Sequence, residues 1–228
     1  MRINRHFILC FLTVIFSLNV NGQVNENQNL RDSLAKASEL LAYYPDSIDL
    51  RLKKAAWNIE LRQWQYAKED YDKVLKLQPD NLAALYYRAF VNERLGRYNF
   101  ARIDYENLLK IVPGNFEAQL GYAILNEKDK HYTEALDQMN RLISQFPGKA
   151  VAYAVRAGME KDRGMLAVAE YDITEAIKRD SENTDYILQR AEIYILENKF
   201  TNAKRDLDRL VKLGIPRTAL TEFYKQIK

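Results

Sequence analysis

Residues 82–115 read LAALYYRAFVNERLGRYNFARIDYENLLKIVPGN, a 34-residue segment built as two helices and a stop. The stretches 82–95 and 98–111 each carry apolar side chains at helical spacing. Gly96-Arg97 between them is a helix C-cap and turn signal. Pro113 forbids continuation of the second helix, because it lacks an N–H and clashes with the preceding turn. Gly114-Asn115 offers a cap for whatever helix follows, as Asp80-Asn81 does for the first.

The same registers recur outward in both directions. Pro45, Pro79, Pro113 and Pro147 are each 34 residues apart. Two alanine series share the period: Ala55, Ala89, Ala123, Ala157, Ala191 and Ala67, Ala101, Ala135, Ala169, Ala203. Large apolar residues follow it too, as in Tyr71, Tyr105, Met139, Ile173 and Leu207. Alanine is required where paired helices approach closely, and overpacking such a site costs about 1–3 kcal/mol. The pattern yields five units beginning at Ile48, Leu82, Phe116, Ala150 and Thr184. Ser181 stands where the fourth unit would have its proline, and the fifth shifts it to Pro216. Residues 29–44 read as the second helix of an incomplete leading unit, and 217–228 as a capping helix.

With its 34-residue spacing, small residue in the first helix, Ala-x3-aromatic step in the second (Ala67 to Tyr71, Ala101 to Tyr105) and closing proline, the sequence resembles the tetratricopeptide repeat. The resemblance implies an all-α, right-handed solenoid of paired antiparallel helices spanning 23–228. Each unit then buries its faces only against its neighbours, which is why the ends need a half unit and a cap.

Residues 1–22, MRINRHFILCFLTVIFSLNVNG, stand outside this pattern. Arg2 and Arg5 precede an apolar run from Phe7 to Leu18, and Val20-Asn21-Gly22 leads to a cut before Gln23. That is the layout of a secretory signal peptide. The run is shorter than the roughly 20 residues of a spanning helix, so no membrane span is expected after its removal. Leu9 occupies the position where a lipid-attached Cys10 would need a small residue. Gln directly after the cut resembles exported proteins of one group of Gram-negative bacteria, which implies a periplasmic or envelope address, with secretion as the fallback.

Composition then excludes several chemistries. The chain has 228 residues, with 34 Lys+Arg against 31 Asp+Glu, one Cys and two His. Beyond residue 22 only His131 remains, and no Cys. Disulfide frameworks, zinc sites and Cys-His arrangements therefore lack their residues, and for a Ser-His arrangement His131 lies in the turn before Tyr132, where solvent exposure is expected. No phosphate-binding glycine motif occurs, and the near-neutral balance gives no reason to expect nucleic acid. Neither metal nor cofactor nor catalytic residue is expected. Carboxylates such as Glu69-Asp70, Glu127 with Asp129, and Glu160 with Asp162 are read as charged helix faces.

Two charge patterns stand out. The seventh position of the units holds Lys54, Arg88, Tyr122, Arg156 and Arg190, and the twenty-third holds Asp70, Asp104, Gln138, Asp172 and Asp206. The third unit lacks both charges and the others keep both, so an ion pair between the two helices of a unit is expected, worth about 0–1 kcal/mol if exposed. Residues 197–228 are mildly basic, a solvated face by default and an anionic-partner contact as the alternative.

In the resembling family the first helices line a groove for an extended peptide or partner segment. Carried to this sequence, the expected partner-binding residues are Lys53, Tyr86, Tyr87, Phe90, Arg94, Leu120 and Ile124. The aromatic cluster of the second unit beside small residues in the next two predicts an apolar pocket with a charged rim. Tyr87 and Gly121 replace the Asn and Arg of the family's chaperone-tail clamp, so that role is disfavoured. The expected function is a non-enzymatic exported scaffold binding a protein or peptide. The alternatives are an accessory subunit of an outer-membrane or secretion complex, and an envelope enzyme or glycan binder using groove carboxylates. A closed pocket with paired buried carboxylates would favour the enzyme.

Overall fold

The computed structural model describes residues 20–227. Of the expected signal segment, residues 1–19 lie outside the described residues, as does Lys228. The described chain is helical, with no strand among the described residues. Helix α1 (Val20–Tyr43) is followed by pairs α2 (Ile48–Glu60) and α3 (Trp64–Leu77), and α4 (Leu82–Arg94) and α5 (Tyr98–Ile111). Then come α6 (Phe116–Lys128) and α7 (Tyr132–Gln145), α8 (Ala150–Asp162) and α9 (Leu166–Arg179), and α10 (Thr184–Leu196) and α11 (Phe200–Lys212). A 3-10 turn, Arg217–Leu220, leads to the short α12 (Thr221–Gln226). Helix α1 is longer than residues 29–44, because no proline interrupts its N-terminal side.

The chain divides into two compact units, the first ending at Pro113 and the second starting at Gly114. Inside each, a helix packs on its partner and on the next pair, as α2 does on α3 and α3 on α4. The alanines explain the close approach: Ala55, Ala67, Ala89 and Ala101 in the first unit, and Ala123, Ala135, Ala157 and Ala169 in the second, have no exposed surface. Tyr71, Val74, Tyr105 and Leu108 fill the first core. Met139, Leu142, Ile173, Ile187, Leu207 and Leu210 fill the second, and Leu220 of the C-terminal turn is buried against it.

Helix starts are set by local chemistry. Asn81 Oδ1 accepts the Ala84 N–H at 2.9 Å, and Asn115 Oδ1 accepts that of Ala118 at 2.8 Å. Asn183 caps α10 in the same way. These bonds satisfy amides that the first helical turn leaves without partners.

Candidate functional site

The inter-helix pairs are the best-defined polar feature. Lys54 Nζ lies 2.8 Å from Asp70. Arg88 grips Asp104 with two bonds of 2.9 and 2.6 Å, Arg156 grips Asp172 at 2.5 and 2.7 Å, and Arg190 grips Asp206 at 2.7 and 2.8 Å. All four carboxylates are buried, so the expected pairs form and the small worth of an exposed pair does not apply to them. Removing one partner of a buried pair costs about 3–5 kcal/mol, because the other charge is left desolvated. Burial raises the Asp104 carboxyl above its ordinary range, against the lowering effect of Arg88.

The three arginines, but not Lys54, also reach backward by the same 16 residues. Arg88 Nη1 donates to Asp72 at 2.9 Å and Arg156 Nη1 to Asn140 at 2.7 Å. At the C-terminal end Tyr224 Oη donates to Asp208 at 2.7 Å, again 16 residues away. One side chain thus ties its own second helix to that of the preceding repeat. A further position was missed by sequence reasoning, although Asn58, Asn92 and Asn126 recur at 34 residues. Asn92 donates to Asp104 at 3.3 Å, and Asn126 to Gln138 at 2.8 Å, so the uncharged third unit keeps the contact in neutral form.

The fourth unit puts Glu160 at that position. It is buried beside Asp172, its Oε1 is 3.8 Å from Arg156 Nε, and its Oε2 has no hydrogen-bond partner. Burial, and then the Asp172 charge, push its pKa up to about 7, with Arg156 and Arg163 opposing.

The seven groove residues fall in both compact units. In the first, Lys53 is exposed on α2. Tyr86 and Tyr87 meet edge to face with ring centres 5.3 Å apart. Tyr87 stacks on the buried Tyr71 at 6.1 Å, yet remains 45% exposed. Tyr86 is half-buried, edge to face with Tyr105 at 6.1 Å. Phe90 meets Trp64 of the preceding pair at 6.1 Å, and the Arg94 guanidinium lies 5.1 Å from the same Trp64 ring. Phe90 and Arg94 therefore belong to a packed Trp64 sandwich, and Tyr87 is the member of the aromatic cluster that faces solvent. In the second unit, Leu120 and Ile124 are half-buried against the core.

The small residues of α8 do not open a pocket. Gln189 Nε2 donates to the Ala154 carbonyl at 3.0 Å, and a Cβ on Gly158 would come within 3.4 Å of that nitrogen. Lys161 and Glu192 bridge the same two helices at 2.7 Å. Ala154 and Gly158 make room for the Gln189 side chain of α10.

His131 is exposed at its turn, 3.4 Å from Asp129. Among the described residues no group of three His, Cys, Asp or Glu could hold a metal ion, and no helix is long and apolar enough to cross a membrane. Glu127 is bound by Arg163.

The tetratricopeptide-repeat sequence profile matches residues 59–115 and 93–150. A tetratricopeptide repeat protein from Parabacteroides merdae is similar in structure, with 25% identity and a TM-score of 0.73, over 90% of this chain and 81% of the other. PilW, described as a widely conserved type IV pilus biogenesis factor, is similar at 20% identity and TM-score 0.69, over 83% of this chain and 88% of its own. YrrB, described as a TPR protein with an unusual peptide-binding site, is similar at 16% identity and TM-score 0.55, over 83% and 97% respectively. No curated protein matches the sequence. Repeat register, helix pairing and profile together define a helical-repeat scaffold. Residues 59–150 match the tetratricopeptide-repeat model, and the fold is that of tetratricopeptide-repeat proteins.

Proposed function

We propose that this chain is an exported scaffold that binds a segment of another protein in the cell envelope, and that it does so without catalysis. The observation that carries the binding role is Tyr87. A large aromatic ring is preorganised by stacking on Tyr71 and contact with Tyr86, and nearly half of it is left in solvent. A ring already fixed loses little freedom on binding, which is how aromatic anchors contribute affinity. Export rests on the n-region, apolar run and small-residue cut in residues 1–22.

The binding test compares capture of proteins from an envelope extract by the wild-type chain and by Tyr87→Ser, with Lys53→Ala as a second arm. Loss of a specific captured protein in Tyr87→Ser, with an unchanged thermal melt, supports the site. Identical capture by both sink the groove reading. Fractionation with N-terminal sequencing tests export: a mature chain beginning at Gln23 outside the cytoplasm is expected, and an intact cytoplasmic chain overturns the address.

A further inference from the structure

The outer face of α11 is unlike the matching face of every other second helix. A shallow depression of about 510 Å³ is lined by Thr201, Lys204, Arg205, Asp208, Arg209 and Lys212, which all project from one side of this helix. The six positions sum to +3 here, while the same repeat positions in α3, α5, α7 and α9 sum to +1, +1, 0 and −1. Asp206, the other acid of α11, is buried under Arg190 and does not offset the face. Lys204 shares Asp208, and Arg209 bonds the Ser181 carbonyl. Arg205 and Lys212 are exposed and have no ion-pair or hydrogen-bond partner among the described residues.

From this stripe we infer a second docking surface, separate from the first-helix groove, that takes an extended acidic segment of a partner protein. Charge complementarity selects the sign, and spacing selects the form. Successive cations four residues apart, such as Arg205 and Arg209, are about 6 Å apart along a helix, and Lys204 to Lys212 spans about 12 Å. Alternate side chains of an extended chain repeat every 6.6–6.8 Å or so. Carboxylates at every second residue therefore meet the cation row nearly in register. A lipid surface fits less well. Membrane-lying helices insert an apolar face, and here that face, Ala203, Leu207 and Leu210, is buried in the protein core. A nucleic-acid strand fits less well too, since no aromatic side chain within residues 201–212 offers a stacking platform.

The test is fluorescence anisotropy with the full chain and a labelled (Glu-Ser)6 peptide, at low and at physiological salt. The wild type is expected to bind, and to lose affinity as salt rises. Arg205→Glu/Lys212→Glu is expected to weaken binding by at least about fivefold, with Arg205→Gln/Lys212→Gln intermediate. The Gln pair keeps the comparison readable if the charge reversal disturbs folding. Tyr87→Ser should bind as the wild type does, which separates this surface from the groove. The inference is overturned if the wild type does not bind, if the Gln pair binds unchanged, or if Tyr87→Ser is the variant that loses binding. Tighter binding to phosphatidylglycerol vesicles or to a single-stranded oligonucleotide overturns it equally.

Discussion

Glu160 shows how one residue alters a repeat that is otherwise kept. Asparagine at this position donates to the buried carboxylate in the second unit. Glutamate can donate only when protonated, and in the fourth unit it lies beside Asp172, whose carboxylate is already held by Arg156. Two carboxylates in one buried site resist sharing two negative charges. The folded state therefore binds the Glu160 proton more tightly than the unfolded chain, with a pKa of about 7 against an ordinary 4.5. The sign follows from linkage: stability contributed by protonated Glu160 is fully present below the ordinary value and is lost as pH rises through about 7. Glu160→Gln keeps the neutral form at every pH. It is expected to match the wild type in the acidic range and to be more stable by about 3 kcal/mol above neutrality. Urea unfolding of both proteins across pH measures this, and a gap that does not change with pH refutes it.

At the scale of elements, the turn between paired helices carries the next lesson. Gly96 and Gly164 adopt φ of 71° and 75°, and the matching positions in the other units, Arg62, Lys130 and Asn198, adopt 56°, 66° and 59°. The backbone of the repeat thus imposes the left-handed turn even on residues with a Cβ, which pay about 1 kcal/mol for it. A Cβ on Gly96 would meet nothing within 4 Å, so the difference is one of backbone alone. Lys130→Gly is expected to stabilise the protein by about 0.5–1 kcal/mol, and Gly96→Ala to destabilise it by a similar amount. Denaturant midpoints at constant slope check both, and destabilisation by Lys130→Gly would show that the turn is held by its side chain. These elements were legible in the sequence because period, caps and stops repeat: helices start at Ile48, Leu82, Phe116, Ala150 and Thr184, 34 residues apart. The site was less legible. A periodic position says which side of a helix a residue occupies, not what the neighbouring pair places against it. Phe90 looks like a groove residue until Trp64 is found on its ring, and Gly158 looks like a gap until Gln189 fills it. The ion pairs were legible in register but not in burial, since exposure depends on the third helix packed over each pair.

On the scale of the whole molecule, a fold made of neighbour contacts limits how far damage spreads. Matches to 264 chains of solved structures show that this fold is widely shared, so it selects no partner by itself. It does set how the molecule yields to stress. Stability in such arrays is a sum of repeat terms and nearest-neighbour terms, and this chain divides into two compact units at Pro113. Ile173 has no exposed surface and sits in the core of the second unit. Ile173→Ala leaves a cavity and is expected to cost about 2–4 kcal/mol there. Hydrogen exchange is the measurement that resolves where the cost falls, because it reports opening segment by segment. Amides of α8 to α11 should lose protection, and those of α2 to α5 should keep theirs nearly unchanged. Equal loss in both units would mean that the chain opens as one cooperative body, and that the division at Pro113 is one of contacts and not of energy.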